Sequence, residues 1–289
     1  MNAPSESPNQ SEIDAKNAAF WDEMCGSQLA KQLGITDDSP ESLKRFDDWY
    51  FDFYPYLFLH IPFAEMRGKK VLEIGLGYGT VAQKIAEAGA HYHGLDIANG
   101  PVSMARHRAG LVGARDADIR QGSILEPPFA EESLDWVVAI GCLHHTGNLA
   151  QAIGNVHTLL RPGGQAMIMV YNAASYRQFR DAFLKTLVRK LSGPFRSYRQ
   201  PDADDRERGA YDKNAEGEAA PQTEFVTVTE LKQLCRAFST CTITPENIAK
   251  EEFPKLPLLR SRIKKMTRNQ LCRSFGPWVG LDLYCRVGK

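Results

Sequence analysis

The chain has no surplus of either charge. Its 35 basic residues are matched by 35 acidic ones, so no global field draws it to nucleic acid or to an anionic membrane. It has no apolar run long enough to cross a bilayer, and near Met1 no basic segment leads into an apolar one. Neither a membrane span nor a secretory leader is therefore expected. The six cysteines, Cys25, Cys142, Cys235, Cys241, Cys272 and Cys285, include no close pair at metal-ligand spacing. Reduced packing thiols of a cytoplasmic protein are expected, with no metal site. No internal repeat is apparent. With 289 residues the chain has room for a sizeable core and one or two domains.

What is present is a strong local pattern. Val71-Leu72-Glu73-Ile74 reads as a buried strand, Gly75, Gly77 and Gly79 alternate through a tight turn, and Thr80 to Ala88 reads as a helix. Glycine lets a ligand approach the backbone and tolerates the positive φ of such turns. A second strand, His91-Tyr92-His93-Gly94-Leu95-Asp96, ends on a carboxylate about twenty residues after the loop, where it can meet ribose hydroxyls. The dinucleotide fingerprint requires a third glycine three residues after the second, to pack the helix beneath a pyrophosphate. Thr80 stands there instead, and Glu73 would repel a pyrophosphate and suits a cationic ligand.

On these residues the chain resembles the class I S-adenosylmethionine (SAM) dependent methyltransferases, whose first motif is an acidic residue followed by alternating glycines. The resemblance continues through Asp96, through Leu134-Asp135-Trp136-Val137-Val138-Ala139-Ile140-Gly141-Cys142-Leu143-His144-His145, and through Leu159-Leu160-Arg161-Pro162-Gly163-Gly164. Four ordered motifs within residues 65 to 172 are far more specific than one glycine motif. The resemblance implies an α/β, Rossmann-like, doubly wound sheet of seven strands with the last antiparallel. It implies SAM as cofactor, held by Glu73, Gly75, Gly77, Gly79, Asp96, Ile97, Ser123, Ile124 and Ile140. Ser123 stands where many relatives carry an acid that contacts adenine. A hydroxyl accepts that bond more weakly, and Ile124 is expected to help by packing.

Residues 1–12 are polar and expected to be disordered. Residues 13–64 read as a helical lid, and 65–289 as the methyltransferase domain, with an insertion at about 173–226. One lid helix is expected in Ile13 to Leu33 and another from Ser39-Pro40-Glu41 toward Leu59. The second carries Phe46, Trp49, Tyr50, Phe51, Phe53, Tyr54, Tyr56 and Phe58. Aromatics at helical spacing read as core, or as a cover over cofactor and acceptor with Tyr54 and Tyr56 at the substrate. Strands are expected near 70–75, 91–96, 116–121, 135–140, 165–171, 240–248 and 280–287. Helices are expected near 79–88, 100–109, 149–160, 175–199 and 227–238.

Methyl transfer is an in-line displacement, so much of its catalysis can be proximity. A hydroxyl acceptor also needs a base, and His144 and His145, following the fourth strand, are the candidates, or they only shape the cofactor pocket. Tyr171 and Asn172 end the fifth strand and are candidate substrate contacts, although Asn also caps helices. Tyr211-Asp212-Lys213-Asn214-Ala215-Glu216-Gly217, followed by Pro221, Thr223 and Phe225, is similar to a substrate loop of bacterial methyltransferases, or is a plain surface loop. Basic clusters at 177–190 and 260–268, with Leu258, Leu259, Ile263 and Met266 among the later ones, suit either solvated faces or a peripheral membrane contact. Neither an Asn-Pro-Pro-Tyr motif nor a Pro-Cys nucleophile of nucleic-acid methyltransferases is present. The expected partner is a small-molecule acceptor, with a homodimer left open. A nucleotide-dependent oxidoreductase and a catalytically silent SAM-binding regulator are the alternatives.

Overall fold

Alternating side chains in the central strands enter two separate apolar layers, so both faces of the sheet must be covered. Val71, Trp136, Val138 and Met167 pack into one layer, while Leu72, Val137, Ala139 and Ile168 pack into the other. Fully burying each such side chain stabilises the fold by about 1.5–3 kcal/mol. The computed structural model describes residues 9–24, 27–192, 198, 203–253 and 260–289. The terminus up to residue 8, Cys25, the stretch 199–202, and Leu258 and Leu259 lie outside the described residues.

The strands are β1 (Lys70–Ile74), β2 (His91–Asp96), β3 (Asp118–Gln121), β4 (Leu134–Ile140), β5 (Leu160–Tyr171), β6 (Thr240–Glu246) and β7 (Asp282–Gly288). They form one sheet in the order β3-β2-β1-β4-β5-β7-β6. β1 to β5 run parallel, and β7 is antiparallel to both β5 and β6. The seven-stranded, doubly wound architecture expected from the motifs is the one found. Strand order reverses between β1 and β4, and a crevice opens beyond their carboxyl ends, where such sheets bind ligands.

The N-terminal helices are α1 (Gln10–Met24), α2 (Ser27–Gln32), α3 (Pro40–Phe53) and α4 (Leu57–His60). Gln10 to Glu12, expected to be disordered, form the first turn of α1. The helix expected to reach Leu59 stops at Phe53, because Pro55 disfavours helical geometry in Tyr54, which sits at φ −115°, ψ 59°. Ser39 caps α3 by accepting from the Ser42 amide. Within the sheet layers lie α5 (Thr80–Glu87), α6 (Asn99–Leu111) and α7 (Leu149–Leu159). The expected helix over 175–199 is broken at Ala182, φ −149°, into α8 (Tyr176–Asp181) and α9 (Phe183–Ser192). α10 (Asp205–Gly209), α11 (Val228–Leu234), α12 (Arg260–Lys265) and α13 (Arg268–Val279) complete the described helices. α11 and α13 both start with capping boxes, Thr227 with Glu230 and Thr267 with Gln270.

α3 is tied to the sheet layer by a buried ion pair. Arg108 of α6 is fully buried and donates to Asp47 at 2.9 Å, and Thr80 donates to the same carboxylate at 2.7 Å. The Asp47→Ala substitution would leave Arg108 as an unpaired buried charge, a loss of about 3–5 kcal/mol. Chemical denaturation should show that loss, and a change under 1 kcal/mol, as for an exposed pair, would contradict the assignment.

Two arginines of the first basic cluster are paired within the fold, while Lys185, Lys190, Lys264 and Lys265 stay exposed. Arg177 is held bidentately by Glu252, and Arg189 by Glu230 and the Phe225 carbonyl. Ile263 is buried in the core rather than presented outward. α9 instead exposes Phe183, Leu184, Val188 and Leu191, each more than half accessible.

Candidate functional site

The glycine loop joins β1 to α5 with Gly75, Gly77 and Gly79 all at positive φ, between 51° and 75°. The three have different tasks. A Cβ on Gly75 would lie 2.5 Å from the Cys142 Cβ, so the β1 and β4 loops pack directly on each other. A Cβ on Gly77 would meet nothing, and its backbone faces an open cleft. Gly79, expected at the cofactor, lines neither cleft described below. Its Cβ would strike Arg108 at 2.8 Å, which makes it a packing glycine between α5 and α6.

Two clefts meet at Gly75, Gly77 and Ile140. The first is lined by Asp96, Ile97, Ser123, Ile124, Cys142 and His145, together with Asp14, Asn17 and Trp21 of α1. The second is lined by Glu73, Tyr50, Tyr54, Trp49, Phe46 and Tyr78. Among the described residues no Lys or Arg lines either, so none of them would neutralise a pyrophosphate there. Asp96 accepts from the Leu76 amide at 2.7 Å and the Ala98 amide at 2.9 Å, one on each oxygen. A carboxylate has about four acceptor sites, so two remain for vicinal hydroxyls. Ile97 and Ile124 add apolar surface, and Ser123 accepts from the Leu125 amide at 3.2 Å.

Glu73 is buried at the second cleft and accepts from the Tyr92 hydroxyl at 2.7 Å. Burial pushes its acid up to about 8, against the lowering effect of Tyr92. Glu73 therefore holds a proton when nothing positive is beside it, and releases it to meet a cation. The donor set fits an adenosyl ligand that carries a positive charge: hydroxyl acceptors at one end, an acid at the other, and an open backbone at Gly77 between them.

The sequence placed the cover over this site in the aromatic helix, and Tyr54 does line the second cleft. It missed α1. Asn17 donates to the His145 carbonyl at 2.7 Å, Gln10 to the Thr146 carbonyl at 2.9 Å, and Asp22 accepts from the Gly100 amide at 2.6 Å. The Trp21 ring packs 4.6 Å from that of His145. These contacts strap α1 across the first cleft. No periodic apolar stripe announced them, because polar side chains reaching backbone carbonyls make them.

On the far side of His145 lies a polar cluster with both histidines in it. His145 Nδ1 is 2.7 Å from the Gln222 carbonyl oxygen, which can only accept, so Nδ1 carries the proton and Nε2 keeps its lone pair. Nε2 is 3.7 Å from Asp212, and the Tyr171 hydroxyl donates to that carboxylate at 3.1 Å. Burial lowers the His145 pKa, opposed by Asp212, and raises that of Asp212. His144 is fully buried with neither ring nitrogen partnered, and burial holds it neutral well below its usual range. It packs at 4.2 Å against Tyr171, a spacer rather than a base.

Two expected substrate contacts are otherwise engaged. Asn172 donates to the Gly280 carbonyl and accepts from the Ala174 amide, both at 2.8 Å, which locks the β5 end. Tyr56 is buried against Tyr284 with its hydroxyl unpartnered. The segment read as a substrate or surface loop is no surface loop at its end, where Thr223, Phe225 and Val226 are buried and the Glu224 amide donates to the His144 carbonyl. It delivers Asp212, which the sequence did not single out. Asp282 of β7, pushed up to about 7 by burial, joins the cluster and accepts from Asn247 at 2.9 Å.

A methyltransferase-domain family model matches residues 72–168. The chain is 30% identical over 159 residues to a ubiquinone biosynthesis O-methyltransferase of Pseudomonas aeruginosa, which covers 53% of this chain and 66% of that protein, just under two thirds of its length. It is 28% identical over 158 residues to phosphoethanolamine N-methyltransferase 2 of Caenorhabditis elegans, covering 54% of this chain and 32% of that one. An S-adenosylmethionine dependent methyltransferase from Mesorhizobium loti superposes with a TM-score of 0.51 at 16% identity, over 82% of this chain and 97% of that chain.

Proposed function

Since the chain belongs to the class I S-adenosylmethionine-dependent methyltransferases, we propose that it methylates a small acceptor through a hydroxyl or amine whose proton is taken at the Asp212–His145 pair. The observation that carries this reading is the 3.7 Å separation of His145 Nε2 from Asp212, with His145 lining the first cleft. Bound there, SAM supplies a methyl group on a positively charged sulfur. Asp96 would hold the ribose hydroxyls, the Gly75–Gly77 backbone the middle of the molecule, and Glu73 a positive charge at the other end. α1 and the α3 aromatics exclude water, which would compete as acceptor. Tyr171 orients Asp212, and the Gln222 carbonyl orients His145 so that Nε2 accepts. The Pseudomonas relative is named for O-methylation and the Caenorhabditis relative for N-methylation; a buried base serves either acceptor class.

Isothermal titration with SAM, S-adenosylhomocysteine and NADH, followed by an acceptor screen with labelled SAM, tests the reading. Binding of both adenosyl ligands without NADH, then label transfer sensitive to Asp212→Asn, is the expected result. NADH binding alone would support the oxidoreductase alternative, and binding without turnover on any acceptor the silent regulator.

Glu73 gives this site a pH signature. Its acid is raised from 4.5 in the unfolded chain to about 8 in the fold, so its contribution to stability is full below about pH 4.5 and is lost as pH rises toward 8. The melting temperature of the ligand-free protein should fall between about pH 5 and 8, and Glu73→Gln should remove part of that fall. SAM affinity should move the opposite way, rising with pH to about 8, because protons compete with the cation for Glu73. Parallel pH profiles for the two proteins would refute this role.

The exposed apolar face of α9, with Lys185 and Lys190 on the same helix, supports a second element of the reading, a peripheral contact with an anionic lipid surface. Co-sedimentation with phosphatidylglycerol vesicles should be lost in Leu184→Glu/Val188→Glu with melting unchanged. Dimer dissociation in that variant without any vesicle binding would assign the face to a second copy.

A further inference from the structure

Three of the cysteines that look scattered in the sequence converge at the antiparallel edge of the sheet. Cys235 caps the C-terminus of α11, Cys241 lies on β6, and Cys285 lies on β7. The Cys285 sulfur is 3.9 Å from that of Cys235 and 3.7 Å from that of Cys241, across 50 and 44 positions of chain. All three sulfurs lie within 4.8 Å of one another. Cys235 and Cys285 are buried, and Cys241 is half-buried, which leaves a route from solvent.

A triangle with those edges has a circumscribed radius of about 2.1–2.5 Å, which brackets the ~2.3 Å zinc–thiolate distance. A cation at its centre would thus reach all three sulfurs without moving the backbone. Three soft sulfurs with no carboxylate or imidazole among them select a thiophilic ion over Mg2+ or Ca2+. The site belongs to the face of Leu283 and Val287, whereas Tyr284, with Tyr56 and His60 packed on it, faces the other way. It is therefore separate from the acceptor cluster, and the proposed methyl transfer makes no use of these thiols.

We propose that Cys235, Cys241 and Cys285 form a three-thiolate site for a thiophilic d10 cation, Zn2+ or Cu+, that clamps α11 onto the β6–β7 edge. Each cysteine loses its thiol proton on binding, so loading Zn2+ releases three protons and leaves a site of net charge −1, with no change of oxidation state. Solvent entering at Cys241 can supply the fourth ligand that Zn2+ requires and Cu+ does not.

Titration of the reduced, metal-stripped full-length protein with Cd2+ tests this. The site predicts a thiolate-to-cadmium charge-transfer band that saturates at one equivalent, and three thiols protected from alkylation by the bound ion. Cys241→Ser, at the half-exposed corner, should weaken Cd2+ binding by more than about 100-fold, beyond the cost of losing an outer partner, while Cys272→Ser should leave it unchanged. Competition by Zn2+ or by Cu+ under anaerobic conditions then identifies the ion. Absence of the band in the folded wild-type protein, or a band that survives Cys241→Ser at full strength, would overturn the proposal. The alkylation count on the unsubstituted protein decides the matter should Cys241→Ser fail to fold.

Discussion

Replacing Asp96 by asparagine is expected to weaken SAM binding by about 100-fold in calorimetry. The carboxylate at the β2 end keeps two acceptor sites free after binding the Leu76 and Ala98 amides, and hydrogen bonds to a charged acceptor contribute about 1.5–3 kcal/mol each. Asparagine offers one acceptor oxygen and turns an amide donor toward a hydroxyl or a backbone N–H. The more drastic Asp96→Ala variant is expected to lose stability as well, by about 1–3 kcal/mol for each orphaned N–H. The same carboxylate that would hold the ligand also pins the glycine loop to β2 through these two backbone bonds. An adenosyl ligand lacking both ribose hydroxyls separates the two functions: it should bind wild type and Asp96→Asn almost equally. A folded Asp96→Asn protein with wild-type SAM affinity would remove Asp96 from the site.

With an acceptor in hand, Asp212→Asn is expected to lower kcat by about 100- to 10,000-fold, the range of general-base catalysis, with SAM affinity little changed. His145→Gln should do the same, and the double variant little worse, because Asp212 and His145 act as one unit across 3.7 Å. Burial raises the Asp212 pKa and lowers that of His145, and each group opposes the effect of burial on the other. The rate should rise with pH as the pair loses its proton, and Asp212→Asn should displace that limb. His144→Ala, whose ring has no hydrogen-bond partner, should cost stability by leaving a cavity against Tyr171 rather than turnover. A large kcat loss in His144→Ala with none in Asp212→Asn would reverse the assignment.

The sequence and the structure agree most closely where the signal is local. β1, the loop of Gly75 and Gly77, α5 and the Asp96 corner were legible because a period of two, a helical run and positive-φ glycines are properties of adjacent residues. The lengths of β2, β4 and α7 followed for the same reason. The break at Tyr54 was in principle readable from Pro55, but the aromatic run obscured it. Gly79 was misassigned because alternation cannot distinguish a glycine that admits a ligand from one that admits Arg108. Asn172 was misassigned because an amide at a strand end can meet substrate or backbone, and only the approach of Gly280 settles which.

By itself, the amino-acid sequence determined the parallel α/β core and the end of the sheet at which its loops gather, because each is encoded in short stretches whose hydrogen bonds close within a strand, turn and helix. Tertiary structure decided that α1 lies across the cleft, that Asp212 comes to His145, that Arg108 is neutralised by Asp47, and that Cys235, Cys241 and Cys285 share one corner. Each of these joins residues far apart in the chain through polar or sulfur contacts that leave no periodicity. Such contacts form only after burial of the two apolar layers has fixed where each strand and helix ends.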